Sequence, residues 1–101
     1  MFAESLVIQH YLEKGYRLCY QRKKLFGVEF DLIFRNQNET VYVEVKSIKS
    51  AAFFVQRWPL RQKKRFLKVA SFLAERENSS FYLGLVNYEN KIFLFNISDL
   101  I

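Results

Sequence analysis

Between Phe2 and Lys14 apolar side chains recur at helical spacing, and Gly15 follows as a residue suited to the left-handed turn that closes a helix. At about 100° per residue, Val7, Ile8 and Tyr11 share a face with Glu4. The Glu4 carboxylate is therefore predicted to point toward the core. Three strands are predicted next, from Tyr16 to Tyr20, Val28 to Arg35 and Val41 to Ile48, with Asn36-Gln37-Asn38-Glu39 as the turn between the last two. They read as an antiparallel meander. Two-residue alternation puts Val28, Phe30, Leu32 and Phe34 on one face of the second strand, and Glu29, Asp31 and Ile33 on the other. In the third, Val41, Val43 and Val45 pack one way while Tyr42, Glu44 and Lys46 face the opposite way.

Pro59 suits the first turn of a second helix running to about Arg76 or Glu77. A basic arc of Arg61, Lys64, Arg65 and Lys68 opposes an apolar arc of Leu60, Phe66, Leu67, Val69, Ala70, Leu73 and Ala74, which is predicted to lie on the sheet. Gln62 and Lys63 project within the apolar arc, toward the sheet's edge. Asn78 to Ser80 ends this helix, and Phe81 to Tyr88 and Ile92 to Ile97 read as two further strands joined by Glu89-Asn90. The predicted order is helix, three strands, helix, two strands, an α/β arrangement.

The chain has 101 residues, room for one domain over 1–101, and half of them are hydrophobic, which suits a packed core. No apolar run approaches the roughly 18 residues that span a bilayer, and Met1-Phe2-Ala3-Glu4 lacks the basic start of a signal peptide. A cytoplasmic protein without a membrane association is expected. Cys19 is the sole cysteine and His10 the sole histidine, so disulfides, Cys-rich zinc sites and His-based triads are disfavoured. Any metal would need oxygen ligands. His10 reads as an ordinary helix residue, Cys19 as a small core or near-core residue, and Trp58 as a packing anchor in preference to a base-stacking residue; Phe53 and Phe54 read as loop packing or a partner surface.

The net charge of +6 favours polyanionic partners. Its distribution says more: Arg17, Arg22, Lys23 and Lys24 form one acid-free stretch, and Arg57, Arg61, Lys63, Lys64, Arg65 and Lys68 another. Either alone would fit a solvated surface; two together point to nucleic acid.

Glu4, Asp31, Glu44 and Lys46 stand where folding alone would prefer apolar residues. Asp31 and Glu44 lie on neighbouring predicted strands, each opposite a row of Val and Phe, so their carboxylates could converge. Two such groups resist joint ionisation unless a cation compensates them, and Mg²⁺ binds through one or two carboxylates plus water and phosphate. Lys46 emerges on the same side, where it could orient water or neutralise charge on a phosphate. By spacing alone, cross-strand ion pairs on a solvent-facing sheet are the commoner arrangement. Helices available to cover that face weigh against it, because unpaired charges are costly to bury.

At these residues the sequence resembles the PD-(D/E)XK nuclease superfamily, and within it the YraN-like proteins, which are similar to Holliday-junction resolvases. The resemblance rests on Tyr11-Leu12 followed by Gly15-Tyr16, on Gly27-Val28-Glu29-Phe30-Asp31-Leu32-Ile33, on Val41-Tyr42-Val43-Glu44-Val45-Lys46, and on the basic helix ending Val69-Ala70-Ser71-Phe72-Leu73. It implies a restriction-endonuclease-like core, a central mixed β-sheet flanked by helices. It also implies Mg²⁺ or Mn²⁺ held by Asp31, Glu44 and the backbone carbonyl of Val45, with Lys46 beside the attacking water. Glu4 takes the place of the helix-borne acid, one residue farther from Tyr11 than in the relatives, where Ser5 stands here. Gln62-Lys63 stands where relatives carry Lys-Gln, and Gln62 joins the expected catalytic set.

The expected activity is metal-dependent hydrolysis of DNA phosphodiesters, with branched or structured DNA preferred and a two-fold dimer suited to cutting two strands. Arg22, Lys23, Lys24, Lys49, Arg57, Arg61, Lys63, Lys64, Arg65 and Lys68 are the expected phosphate contacts. The alternative is a nuclease-fold module that binds nucleic acid without efficient cleavage and works with a partner protein. A third is an interaction domain that uses the aromatic residues around Phe53 and Trp58.

Overall fold

Gly15 closes the first helix as its position predicts. Helix α1 spans Phe2–Glu13, and Gly15 follows with φ of 91°. The Tyr16 N–H donates to the Tyr11 carbonyl and the Gly15 N–H to the Leu12 carbonyl, each at 3.1 Å, so the last turn's carbonyls are satisfied by a Schellman closure. The Tyr11 and Tyr16 rings meet edge-on across it, with centroids 5.4 Å apart. The chain thereby turns back along the helix and enters the sheet.

The computed structural model describes residues 2–48, 60–76 and 78–97. After α1 come β1 (Arg17–Leu25), β2 (Val28–Arg35), β3 (Thr40–Ile48), α2 (Leu60–Ala74), β4 (Ser79–Asn87) and β5 (Ile92–Asn96). The strands lie in one sheet in sequence order, antiparallel except for the parallel β3–β4 pair. The mixed sheet and the element order agree with the sequence reading. Pro59, Trp58, Phe53, Phe54, Lys49 and Arg57 lie outside the described residues. Among the described residues no helix is long and apolar enough to cross a membrane.

Two boundaries differ from expectation. β1 does not stop at Tyr20 but continues to Leu25, so Arg22, Lys23 and Lys24 belong to an edge strand. The cause is a two-residue hairpin at Phe26 and Gly27, with φ of 51° and 80°, whose left-handed backbone matches the twist of the flanking strands. Ser79 and Ser80 do not cap α2; they begin β4 and pair with Thr40 and Val41.

Among the described residues each sheet face carries one helix. On the α1 side, Val7 and Tyr11 pack with Leu32, Phe34, Val41, Val43, Val45 and Val86. On the α2 side, Phe66, Val69, Ala70 and Leu73 pack with Phe30, Ile33, Tyr42, Phe81, Leu83 and Leu85. The alternation predicted for β3 holds, but that for β2 fails. Val28 and Phe30 join the α2 layer, whereas Leu32 and Phe34 join the α1 layer. The phase changes at Asp31 and at Arg22, which stands opposite it between the pairs Gln21↔Leu32 and Lys23↔Phe30. Arg22 has φ of 50°, and this left-handed step turns the ladder over.

Phe30, fully buried, anchors the displaced segment: its ring centroid lies 5.0 Å from Tyr42 and 4.8 Å from Phe66. Phe30→Ala is expected to cost about 3–5 kcal/mol in urea unfolding, because the cavity would open between β2 and α2. A loss under 1 kcal/mol would contradict this packing.

Candidate active site

Pairing between β2 and β3 runs from Arg35↔Thr40 to Leu32↔Val43 and then stops. Beyond that point the strands part, and Asp31 and Glu44 flank the opening. The Val45 N–H, left without a β2 carbonyl, donates to Asp31 Oδ2 at 2.8 Å. A carboxylate thus replaces a strand partner. The Val45 carbonyl lies on the same edge of β3 as its N–H and borders the same opening.

Glu44 is buried, at 5% exposure, so the face it occupies is not the solvent-facing sheet that spacing alone favoured. Burial, followed by a hydrogen bond that the protonated Glu44 carboxyl donates to Asp31 and by the charge of Asp31, pushes its carboxyl well above the usual carboxylate range. Lys46 opposes that rise and borders the same cleft. Glu44 therefore keeps its proton beside Asp31.

Both helices reach this opening. Glu4, also 5% exposed, extends from the first turn of α1 and is gripped by Arg22 Nη1 at 3.2 and 3.5 Å from its two carboxylate oxygens. Arg61 and Gln62 extend from the first turn of α2, with Arg65 one turn on. Arg65 Nη2 donates to the Gly27 carbonyl at 3.1 Å and ties α2 to the β1–β2 hairpin. The open cleft has a volume of about 610 Å³. Asp31, Glu44, Val45, Lys46, Glu4 and Gln62, singled out from the sequence, all line it.

The basic residues divide. Arg61 and Arg65 line the cleft, and Arg22 is bound to Glu4. Lys23 and Lys24 are exposed on β1, Lys64 and Lys68 on the outer arc of α2, and Lys63 is half-buried. Glu29 and Ser47 also border the cleft. His10 lies apart, half-buried, and burial and Lys14 lower its pKa, so it stays neutral near pH 7. Cys19 is half-buried at the register shift between Leu18 and Tyr20. Sequence reasoning missed the Arg22–Glu4 pair, because it depends on a left-handed residue inside a strand.

Among the described residues no three His, Cys, Asp or Glu side chains come together as a metal cluster. The donors present fit a hard cation that keeps water and ligand oxygens in its shell: two touching carboxyl groups and a strand-edge carbonyl. The Glu44 proton marks the same place, since a cation there would remove the repulsion that the proton now relieves.

A five-stranded mixed sheet with one helix on each face, opened by two diverging strands, defines a protein with a restriction-endonuclease-like core. The model of the uncharacterised protein family UPF0102 matches residues 3–86, and the chain belongs to that family. It is 39% identical over 74 residues to a UPF0102 protein of Ruegeria pomeroyi, covering 72% of this chain and 60% of that protein. The chain thus spans under two thirds of the length of that relative.

The Glu44 shift has a definite sign for stability. The folded state holds the Glu44 proton more tightly than the unfolded chain, so its contribution is complete below about 4.5 and is lost as pH rises through about 9. In EDTA the thermal midpoint is expected to fall across that window, and Glu44→Gln to flatten the fall. An equal slope in both proteins would contradict the retained Glu44 proton.

Proposed function

We propose that this chain is a divalent-metal-dependent endonuclease of the PD-(D/E)XK type, hydrolysing DNA phosphodiester bonds with branched or structured DNA preferred. The observation that carries the proposal is the convergence of Asp31, Glu44 and Lys46 with the Val45 edge in one cleft where β2 leaves β3. Membership of UPF0102 is compatible with this reading and assigns no activity.

Asp31, Glu44 and the Val45 carbonyl would hold Mg²⁺ or Mn²⁺, which when bound polarises phosphoryl oxygens and acidifies water. Asp31 is fixed for this task by the Val45 N–H, which holds its Oδ2 at 2.8 Å. Lys46 presents its ammonium to the cleft, where it orients an attacking water and offsets charge gathering on the phosphate. Its positive charge also favours the ionised form of Glu44. Glu4 is kept in place on the α1 wall by Arg22, so that wall offers an oriented carboxylate to the same water network. Gln62 and Arg61 face the scissile region from α2, and Arg65 holds a phosphate at the hairpin side. A two-fold pair of chains would present two such clefts to two strands.

Cleavage of matched linear, flapped and four-way-junction DNA in Mg²⁺ and Mn²⁺ tests the proposal. Wild type is expected to cut, Asp31→Asn and Glu44→Gln to lose cutting while retaining DNA binding, and Lys46→Ala to lose about 100-fold in rate. If no substrate is cut in either metal while DNA is still bound, the chain is a binding module that works with a partner protein.

Phosphate contacts also predict salt dependence. With about six to ten contacts, affinity for duplex should fall about 10³- to 10⁵-fold between roughly 50 and 200 mM salt. Affinity indifferent to salt would remove the basic surfaces from the reading.

A further inference from the structure

Phe26 is placed where neither backbone nor core calls for it. It takes the first position of a two-residue left-handed turn, with φ of 51°, where Asn, Asp or Gly sit without strain. It is also 64% exposed. Among the described residues its close ring partner is Phe72, itself exposed on α2, with centroids 4.6 Å apart in a T-shaped contact. The Arg76 guanidinium covers part of Phe72, 3.6 Å from its centroid.

Beside the two rings is a hollow of about 350 Å³, floored by Val28 and Val69 and rimmed by Arg65 and Lys68. Apolar walls under a cationic rim suit a flat aromatic ligand joined to an anion. The hollow adjoins the carboxylate cleft, since Val28 and Arg65 line both. Arg65 also fixes the hairpin tip through the Gly27 carbonyl. A strand whose phosphate meets Arg65 would therefore have its next base beside Phe26.

We infer that Phe26 and Phe72 form a stacking site for one unpaired base of the DNA substrate, and that this site gives the enzyme its preference for structured over fully paired DNA. The inference rests on the nuclease reading and goes beyond it, since the carboxylates and Lys46 act on a phosphate whatever its bases do. In a paired duplex both faces of each base are already stacked. Flaps and junctions supply bases that are free to leave the helix. The charged rim favours a polyanion over the apolar side chain of another protein.

The test uses full-length protein in EDTA, so that binding is read without cutting. The probes are a flapped duplex with 2-aminopurine in the unpaired arm and a fully paired duplex of the same sequence. Wild type should quench 2-aminopurine and prefer the flap. Phe26→Asn relieves the backbone strain while losing the ring contact, so it should melt cooperatively near the wild-type midpoint. Its quenching should vanish and its flap affinity drop about tenfold, the effect of removing one stacking ring, bringing the flap-to-duplex preference close to one. Phe26→Tyr should restore both signals.

If Phe26→Asn keeps the wild-type quenching and preference, or loses flap and duplex affinity equally, the stacking site is wrong while the nuclease reading stands. If wild type binds neither probe at low salt, both fall together.

Discussion

The structure turns on the point where β2 stops pairing with β3. A sheet interior does not tolerate a broken ladder unless the freed backbone groups find partners. Here the Val45 N–H is taken up by the Asp31 carboxylate at 2.8 Å, so the acid satisfies the backbone as it is presented to the cleft. The same break brings Glu44 against Asp31 in a place with little water, where burial and like charge hold a proton on the pair. Strand divergence, acid placement and electrostatic frustration are one event. None of them survives if the ladder is completed.

The break also sets the layering of the protein. Ordinary alternation sends Leu32 and Phe34 to the α1 core and Ile33 to the α2 core, and the phase inversion between Leu32 and Phe30 adds Phe30 to the α2 side. A carboxylate from α1 and a glutamine from α2, on opposite faces of the sheet, line one cleft. The left-handed Arg22 serves this geometry twice. It turns β1 over in step with β2, and its side chain compensates Glu4, which is buried in the α1 layer. Without that partner Glu4 would be a lone buried charge, which proteins avoid.

Much of the fold was legible in the sequence. Gly15, the Val41-Val43-Val45 alternation and the amphipathic arcs of α2 each encode local structure by periodicity or turn chemistry, and each appears where expected. The site residues were legible for a related reason: Asp31, Glu44 and Lys46 interrupt patterns that are otherwise apolar, and an interrupted pattern marks a residue kept for something besides folding. What failed to show was the left-handed backbone at Phe26 and Arg22. Phe26 has no sequence signature of a turn, so β1 was read as ending at Tyr20. Arg22 has none of a phase change, so Phe30 was placed with Leu32.

Three departures from ideal local structure lie close together. Arg22 at φ 50° and Phe26 at φ 51° bracket the distal half of β1, and the β2–β3 divergence lies alongside it. All border the region between the hairpin and the first turn of α2, while the parallel β3–β4 pair runs without a break from Thr40 to Ile48. Strain of this kind persists only where surrounding packing over-determines it, and Phe30 against Phe66 and Tyr42 provides that packing directly beneath. The regular β3–β4 half is the scaffold of the fold, and the irregular hairpin half borders the candidate site. A substitution that regularises the hairpin half should leave the core intact and change only what the cleft can hold, which is the pattern expected of a site carried by a fold rather than of a fold that is poorly formed.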